Sequence, residues 1–339
     1  MNLNFASDNT GPMAQPVLDA IVTANAGAAM PYGNDIWMPQ VRDRIRALFA
    51  WPGAEVLLVT SGTAANALAL SALVPPYGAI FAHKTAHIEV DECGAPEFFT
   101  GGAKLILIEG ADGRMDPLAL TKAIARLGTG NVHGVQPGAL SLTNVTEAGT
   151  LYSLAQMAEL TGAARAAGLP SHLDGARFAN ACAALGCTAA EMAAGFDIVS
   201  FGGTKNGCMG VEAVVLRDPA RAWELALRRK RAGHLWSKHR FLSAQMLAYL
   251  QDELWLETAR AANAAGQRLA RGLRAMGAEI VHPPEANMIF ARFDRATHDR
   301  ARAQAQYGLE DDADRPLCRM VCDFTKTDAE VDRLLTLLS

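Results

Sequence analysis

From residue 54 to residue 216, short apolar runs alternate with longer segments whose apolar residues recur at helical spacing. The short runs are rich in β-branched and aromatic residues, which is typical of buried strands. The pattern predicts seven strands, at 55–60, 79–82, 104–108, 138–143, 172–174, 196–201 and 213–216, and a helix that starts at Thr150. Strands separated by helices indicate an α/β fold, with a mostly parallel sheet covered by helices on both faces.

After about residue 219 the pattern changes to long helices rich in Arg, Lys and Ala, followed by short strands. We predict strands at 279–281, 288–293 and 317–323, and helices near 295–306 and at 327–338. This mixture is typical of a smaller α+β domain. Since residues 1–15 are polar and rich in turn residues, we predict three parts. They are an N-terminal arm at 1–16, a large domain at 17–245 and a small domain at 246–339.

Composition excludes several classes of function. The formal net charge of −4 gives no electrostatic basis for nucleic-acid binding. The longest apolar run, 64–74, is too short to cross a bilayer, and the N-terminus has no secretion signal. The six cysteines show no C-x-x-C spacing. We therefore expect reduced cysteines, no metal site, no membrane association and a cytoplasmic protein.

Lys205 follows the strand at 196–201, just after Gly202 and Gly203. The two glycines remove side-chain bulk, so that backbone and ligand can approach closely. Partial desolvation would lower the pKa of such a lysine and free its amine as a nucleophile. Lys205 is therefore a candidate Schiff-base former, and a surface turn lysine is the alternative.

Ser61-Gly62-Thr63 lies between the strand at 55–60 and a helix that is apolar almost all round. The free amides of a first helical turn, the positive end of the helix dipole and two hydroxyl groups make a phosphate site. An ordinary helix N-cap is the alternative. The motif G-x-x-x-x-G-K-[ST] occurs nowhere in the chain, so this segment is not a Walker loop.

His87 and Asp174 are two further candidates. His87 lies early in a helical segment after a strand, where an imidazole could stack on a flat heterocycle; a satisfied polar histidine is the alternative. Asp174 ends a predicted strand, and Arg177 follows it. A carboxylate that faces a pyridine nitrogen keeps that nitrogen protonated. An ion pair between Asp174 and Arg177 is the alternative.

A phosphate site, a stacking ring, a strand-end aspartate and a strand-end lysine, in this order on a parallel sheet, are what pyridoxal 5'-phosphate requires. With these motifs the sequence resembles the fold-type I pyridoxal-phosphate enzymes, and within them the threonine aldolase (β-eliminating lyase) family. The resemblance covers nearly the whole chain, and Asp174-Gly175-Ala176-Arg177 is its most discriminating motif. The other matching segments are Ser7–Asn9, Tyr32–Asp35, Ser61–Asn66, His87–Gly94, His172–Leu173, Ser200–Lys205 and Arg319.

The resemblance implies a role for each matching residue around the cofactor. Lys205 would hold the cofactor covalently, Asp174 would pair with its pyridine nitrogen, and His87 would stack on its ring. The implied phosphate ligands are Ser61, Gly62, Thr63 and Lys230, the last offered by a neighbouring subunit, with Lys238 and Arg240 as alternatives to it. The implied assembly is therefore a homodimer or homotetramer with shared active sites.

The resemblance also implies how a small amino-acid substrate would be bound. Arg177 would lie near the ring hydroxyl and the substrate carboxylate, Ser7 and Arg319 would bind that carboxylate, and Tyr32 would approach from a neighbouring subunit. Arg319 stands in an apolar strand, where a guanidinium is costly unless a carboxylate meets it. A carboxylate from elsewhere in the fold is the alternative partner.

One segment departs from the family. Many members carry Asn-Thr-His-Asn after the strand at 138–143, where this chain has Thr143-Asn144-Val145-Thr146-Glu147. The histidine credited with helping the proton transfer is thus replaced by Thr146 or Glu147. Glu92 is another candidate carboxylate.

The function implied by the resemblance is that of a carbon–carbon lyase. It would reversibly cleave L-threonine, L-allo-threonine and related β-hydroxy-α-amino acids such as phenylserine to glycine and an aldehyde. Two alternatives stay open. The first is another fold-type I pyridoxal-phosphate lyase or a transaminase that acts on an amino acid. The second is a non-catalytic, ligand-binding member of the fold.

Overall fold

The computed structural model describes residues 3–339, which form two sheets with helices around them. The strands are β1 (Leu3–Phe5), β2 (Glu55–Val59), β3 (Gly78–His83), β4 (Lys104–Ile108), β5 (Gln136–Thr143), β6 (Ser171–Gly175), β7 (Ile198–Gly202), β8 (Glu212–Leu216), β9 (Glu279–Ile280), β10 (Met288–Arg292), β11 (Ala305–Asp311) and β12 (Leu317–Val321). The first large group, β2 to β8, contains the seven strands predicted from the alternating apolar pattern.

The helices connect and cover these strands. They are α1 (Gln15–Ala24), α2 (Met38–Phe49), α3 (Gly62–Leu73), α4 (His87–Val90), α5 (Ala95–Thr100), α6 (Pro117–Leu127), α7 (Leu154–Ala166), α8 (Phe178–Leu185), α9 (Ala189–Ala193), α10 (Ala222–Arg231), α11 (Arg240–Tyr249), α12 (Leu254–Ala275), α13 (Arg295–Arg302) and α14 (Asp328–Leu338). Within residues 3–339, no helix is both long enough and apolar enough to span a membrane.

The large sheet has the strand order β2-β8-β7-β6-β5-β3-β4. The pairs from β4 to β7 are parallel, and only β8 runs antiparallel to its two neighbours. The prediction of a mostly parallel sheet is therefore confirmed. The carboxyl ends of six strands meet at one edge, which is where ligands collect in open α/β sheets.

Both faces of the large sheet are buried, and this explains why its strands are apolar throughout. Val56 and Leu58 of β2 pack into one core with α1, α2, α7, α8 and α11. Leu57 and Val59 of the same strand pack into a second core with α3 and α10. Alternate residues of a strand thus enter opposite layers.

The second sheet has the order β1-β11-β12-β10-β9, and its core is closed by α12 and α14. Its first strand, β1, comes from the N-terminal segment and pairs in parallel with β11. The two sheets correspond to the α/β and α+β patterns of the sequence. The domain boundaries at 16/17 and 245/246 stay predictions.

Four local predictions were wrong. The helix expected to start at Thr150 begins at Leu154, because Ser153 and Gln156 form its capping box. The strand β11 was not predicted, since it is half-buried and alternates weakly. The helix expected to carry both His87 and Glu92 ends at Val90, so Glu92 follows it. The helix α5 was also missed.

Candidate active site

Six side chains predicted to bind the cofactor converge at the carboxyl edge of the large sheet. A cavity of about 380 Å³ is lined by Ser61, Gly62, Thr63, His87, Asp174 and Lys205. These residues are distributed over about 140 positions of sequence and follow different strands. The parallel strand order brings them together, because β6 lies beside β7 and β2 is reached through β8.

Lys205 lies in a short 3₁₀ turn, Thr204–Asn206, that directly follows β7. The glycines before it are required by close packing. A Cβ at Gly202 would lie 2.6 Å from the carbonyl oxygen of Ala176, and one at Gly203 would lie 2.8 Å from that of Val211. No larger residue fits at either position, so the two glycines let the turn close and present Lys205 to the cavity.

The segment Ser61–Thr63 combines both roles considered for it. The Ser61 hydroxyl accepts a hydrogen bond from the amide of Ala64 at 3.2 Å and so caps α3. The amides of Gly62 and Thr63 belong to the first turn, which has no intrahelical acceptor for them. A Cβ at Gly62 would meet nothing within 4 Å, so the space in front of these amides is open. The turn can therefore hold an anion.

Asp174, His87 and Glu92 are linked by Asn66, a residue of α3. The side-chain amide nitrogen of Asn66 donates to Asp174 Oδ2 at 3.0 Å and to Glu92 Oε1 at 2.8 Å. The same Glu92 oxygen accepts from His87 Nδ1, also at 2.8 Å. Asn66 is the only strongly polar residue in the apolar helix at 64–74. That isolation was the sequence signal for its role.

This network sets the charge state of its members. Burial raises the pKa of Glu92, against the opposing effect of its hydrogen bond with His87. The hydrogen bond to Glu92 in turn raises the pKa of His87. Glu92, proposed as a catalytic carboxylate, is buried beneath His87 and in contact with it. Its geometry suits orienting the imidazole rather than reaching a substrate.

Arg177 pairs with Asp8 of the N-terminal segment, and the alternative of an Asp174–Arg177 ion pair is wrong. Arg177 Nε and Nη2 donate to the two Asp8 oxygens at 2.6 and 3.0 Å, and both side chains are buried. Asp174 is held instead by Asn66 and by the amide of Ala176 at 3.0 Å. Sequence spacing could not reveal a partner 169 residues away.

Seven predicted site residues do not line the cavity that contains Lys205, namely Ser7, Tyr32, Glu92, Thr146, Arg177, Lys230 and Arg319. The Ser7 hydroxyl caps a 3₁₀ turn by accepting from the amide of Asn9 at 3.1 Å. Tyr32 and Lys230 meet each other, with the ammonium 5.0 Å from the ring centroid. Arg319 lies in an adjoining cavity of about 570 Å³, which shares Asp91 with the first.

Arg319 has an acidic neighbour that the apolar strand did not reveal. Its Nε lies 3.5 Å from Glu310 Oε1, and Glu310 belongs to the unpredicted strand β11. About one third of the Arg319 side chain is exposed. A carboxylate from elsewhere in the fold, the alternative considered for Arg319, is therefore present.

Thr146, proposed as a catalytic residue, takes part in the hydrogen bonds of the loop after β5. Its hydroxyl lies 2.7 Å from that of Thr150, which donates to the carbonyl of Asp112 at 2.6 Å. Thr146 is buried, and this chain of hydrogen bonds ties down the loop after β5. Glu147, the next residue, lines the adjoining cavity with Arg319.

Glu212 is a site residue that the sequence reasoning missed. It opens β8, lines the cavity beside Lys205 and accepts a hydrogen bond from the amide of Gly203 at 3.0 Å. Burial raises its pKa to about 7. The available signal was an acidic residue at the start of an otherwise apolar strand.

Comparison with known proteins identifies the family. A family model described as β-eliminating lyase matches residues 4–296. The chain belongs to the β-eliminating lyase family. The chain is 40% identical over 303 residues to the low specificity L-threonine aldolase of Pseudomonas aeruginosa, covering 88% of the chain and 87% of the relative. It is 38% identical over 301 residues to the enzyme of the same name from a Pseudomonas species, covering 88% and 86%.

Solved structures support the same assignment. The chain matches Leishmania major threonine aldolase with a TM-score of 0.95 at 25% identity, covering 99% of this chain and 98% of that one. It matches Sphingomonas wittichii serine palmitoyltransferase with a TM-score of 0.73 at 15% identity, covering 99% and 86%, a likeness of fold alone. The predicted family and the fold-type I architecture are confirmed.

The ion pair between Asp8 and Arg177 makes stability dependent on pH. Burial opposes ionisation, yet Arg177 holds the pKa of Asp8 below its usual value of 3.8. The pair's contribution is therefore present above about pH 4 and lost as the pH falls through the lowered pKa. We expect Asp8→Asn to lower the free energy of unfolding at neutral pH by about 3–5 kcal/mol, because Arg177 stays buried without its partner.

Urea unfolding at several pH values tests this. The difference in free energy of unfolding between wild type and Asp8→Asn should decrease as the pH falls below about 4. The exposed Asp19 provides a control, and Asp19→Asn should unfold like wild type. The role given to Asp8 is contradicted if the two proteins have the same free energy of unfolding at neutral pH, or if the difference between them does not change in acid.

The Glu92 carboxylate should govern the titration of His87. We expect Glu92→Gln to lower the pKa of His87, because the largest influence raising it is the hydrogen bond to Glu92. An NMR titration of the His87 ring measures this directly. Asp91→Asn is the matched control and should have a smaller effect, since the distance from Asp91 Oδ2 to His87 Nε2 is 3.8 Å. Equal effects of the two substitutions would speak against the network.

Proposed function

We propose that this chain is a pyridoxal 5'-phosphate-dependent aldolase. It reversibly cleaves L-threonine, L-allo-threonine and related β-hydroxy-α-amino acids such as phenylserine to glycine and an aldehyde. The observation that carries the proposal is the single cavity in which Lys205, Asp174, His87 and the open turn at Gly62 meet. The 40% identity to a low specificity L-threonine aldolase supports the choice of reaction.

The residues of the cavity fit this cofactor chemically. Lys205 supplies an amine, the amides of Gly62 and Thr63 supply an anion site, and the Asp174 carboxylate is buried where a cationic ring nitrogen would compensate it. When bound, the cofactor provides the electron sink that lets the Cα–Cβ bond break. His87, held by Glu92, offers a flat face for stacking on the ring.

The chain's own residues then bind and orient the substrate. Arg319 is proposed to bind the α-carboxylate through the planar fork of its guanidinium, from the adjoining cavity. The guanidinium of Arg177 is already paired with Asp8, so the role proposed for Arg177 is to add positive charge near the ring hydroxyl. Ser7, which precedes Asp8, would complete the carboxylate site.

Glu147 is the residue to which we assign the β-hydroxyl proton. It lines the cavity of Arg319, and its charge raises the pKa of both His87 and Arg177, so its carboxylate faces the space between the ring-stacking and carboxylate-binding residues. No hydrogen bond or ion pair occupies it within the described chain. Thr146 is less suited to this role, because its hydroxyl is bonded to Thr150.

Assembly and location are part of the proposal. Tyr32 and Lys230 are exposed and lie against each other, outside the cavity of their own chain. They can act as site residues if they reach the active site of a neighbouring subunit, where Lys230 would bind the phosphate. This arrangement requires a homodimer or homotetramer with shared active sites. All six cysteines are free thiols, which supports a reducing, cytoplasmic location.

The covalent role of Lys205 gives the direct test of this function. Borohydride reduction of the protein with its cofactor, followed by peptide mapping, should place the label on Lys205. Lys205→Ala should lose the label and the cleavage of L-threonine to glycine and acetaldehyde. Label on Lys84, Lys230 or Lys238 would contradict the site. Release of an α-keto acid would favour another lyase or a transaminase.

Glu147→Gln should slow the removal of the β-hydroxyl proton without stopping the removal of the glycine Cα proton. We expect kcat/KM for L-threonine to fall about 10²–10⁴-fold, the usual loss when a general base is removed. Exchange of the glycine Cα proton for deuterium should continue, because it does not involve a β-hydroxyl group. Glu310→Gln, the same change in the same cavity, is the control and should retain more activity. Cleavage at the wild-type rate in Glu147→Gln would remove Glu147 from the reaction.

A further inference from the structure

Glu212 stands between the two segments that the cofactor would bridge. In the sheet it pairs with Val59 of β2 on one side and with Gly202 of β7 on the other. Val59 leads directly to the turn at Ser61, and Gly202 leads to Lys205. The carboxyl group therefore lies at the floor of the cavity, between the anion-binding turn and the lysine.

The surroundings of Glu212 provide little positive charge. The amide of Gly203 donates to Oε2 at 3.0 Å, and hydrogen bonds from Thr204 also act to lower the pKa of Glu212, but Glu212 makes no ion pair among the described residues. The titratable groups that face it are Lys205 on the turn after β7, Cys208 on the following loop and Tyr249 on α11. Of these, only Lys205 is a cationic residue, and its effect on the pKa of Glu212 is smaller than that of burial.

A buried acid in this position would be driven to its neutral form by a phosphate. Burial raises the pKa of Glu212 to about 7, even though hydrogen bonds from Thr204 and Gly203 and the charge of Lys205 act to lower it. A nearby dianion disfavours a second negative charge still further. A neutral carboxylic acid has one O–H donor, so it can donate to a phosphate oxygen where a carboxylate could only repel it.

We propose that Glu212 is a phosphate ligand in its protonated form, and that the anion site takes up one proton from solvent when phosphate binds. The inference rests on the proposed function, since it places a phosphate group at Gly62 and Thr63. The phosphate site would thus pair the two helix amides with a carboxylic acid on the opposite side. Occupancy of the site would then depend on pH above neutrality.

Calorimetry on the full chain without cofactor tests this. Inorganic phosphate is titrated at about pH 8 in two buffers of different ionisation enthalpy, which counts the protons taken up. We expect wild type to take up close to one more proton than Glu212→Gln. The glutamine keeps an oxygen to accept from Gly203, so the fold should be retained. The exposed Glu89 gives the matched control, and Glu89→Gln should behave like wild type.

The pH dependence provides a second measurement that needs no variant. Above about pH 7, phosphate affinity of wild type should fall roughly tenfold per pH unit, because only the protonated fraction binds. Glu212→Gln should lack this fall. Equal proton uptake in the two proteins, or a wild-type affinity that does not change with pH, overturns the inference. Tighter phosphate binding by Glu212→Gln without a change in proton count also overturns it, by making Glu212 an ionised partner of Lys205.

Failure of this inference is distinguishable from failure of the proposed function. The absorbance change on adding pyridoxal 5'-phosphate to wild type reports cofactor binding at Lys205. An absorbance change without proton uptake on phosphate binding overturns the role of Glu212 and leaves the function intact. Phosphate binding with proton uptake, but no absorbance change, supports the role of Glu212 and contradicts the function.

Discussion

The site depends on the parallel register of three central strands. Thr143 of β5 pairs with Asp174 of β6, and Asp174 pairs with Ser200 of β7. Because the strands run in the same direction, their carboxyl ends stop at the same level, and Lys205 follows within one short turn. A slip of one residue would point Asp174 to the opposite face of the sheet. The residues that line the cavity meet because β5, β6 and β7 keep this register.

Around this edge the protein buries several carboxyl groups and supplies few cations. Asp174 and Glu92 are compensated by one amide, that of Asn66, and Glu212 by a backbone amide. Buried carboxylates that rely on neutral donors leave the site electronegative. Such a site favours a ligand that carries a protonated ring nitrogen. Arg177 offsets this charge only in part, because its guanidinium is paired with Asp8.

Local patterns were sufficient for most of the elements and for the candidate cofactor-binding residues Ser61 and Lys205. Continuous apolar runs predicted the seven strands of the large sheet, because both of its faces are covered. Gly202 and Gly203 pointed to Lys205, because such close backbone contacts tolerate no side chain. The capping hydroxyl of Ser61 marked the start of α3. Each of these signals comes from interactions within a few residues along the chain.

The sequence by itself determined the layered α/β architecture, the family and the candidates Lys205, Asp174, His87 and Gly62. Only the tertiary structure decided which side chains pair with one another. Asp8 reaches Arg177 across 169 residues, and Asn66 joins two carboxyl groups that lie on separate segments. The tertiary structure also showed that the Thr146 hydroxyl is hydrogen-bonded within its own loop, while Glu147 lines a cavity. The physical reason is that burial and ion pairing depend on which surfaces the fold brings together, and sequence spacing does not encode them.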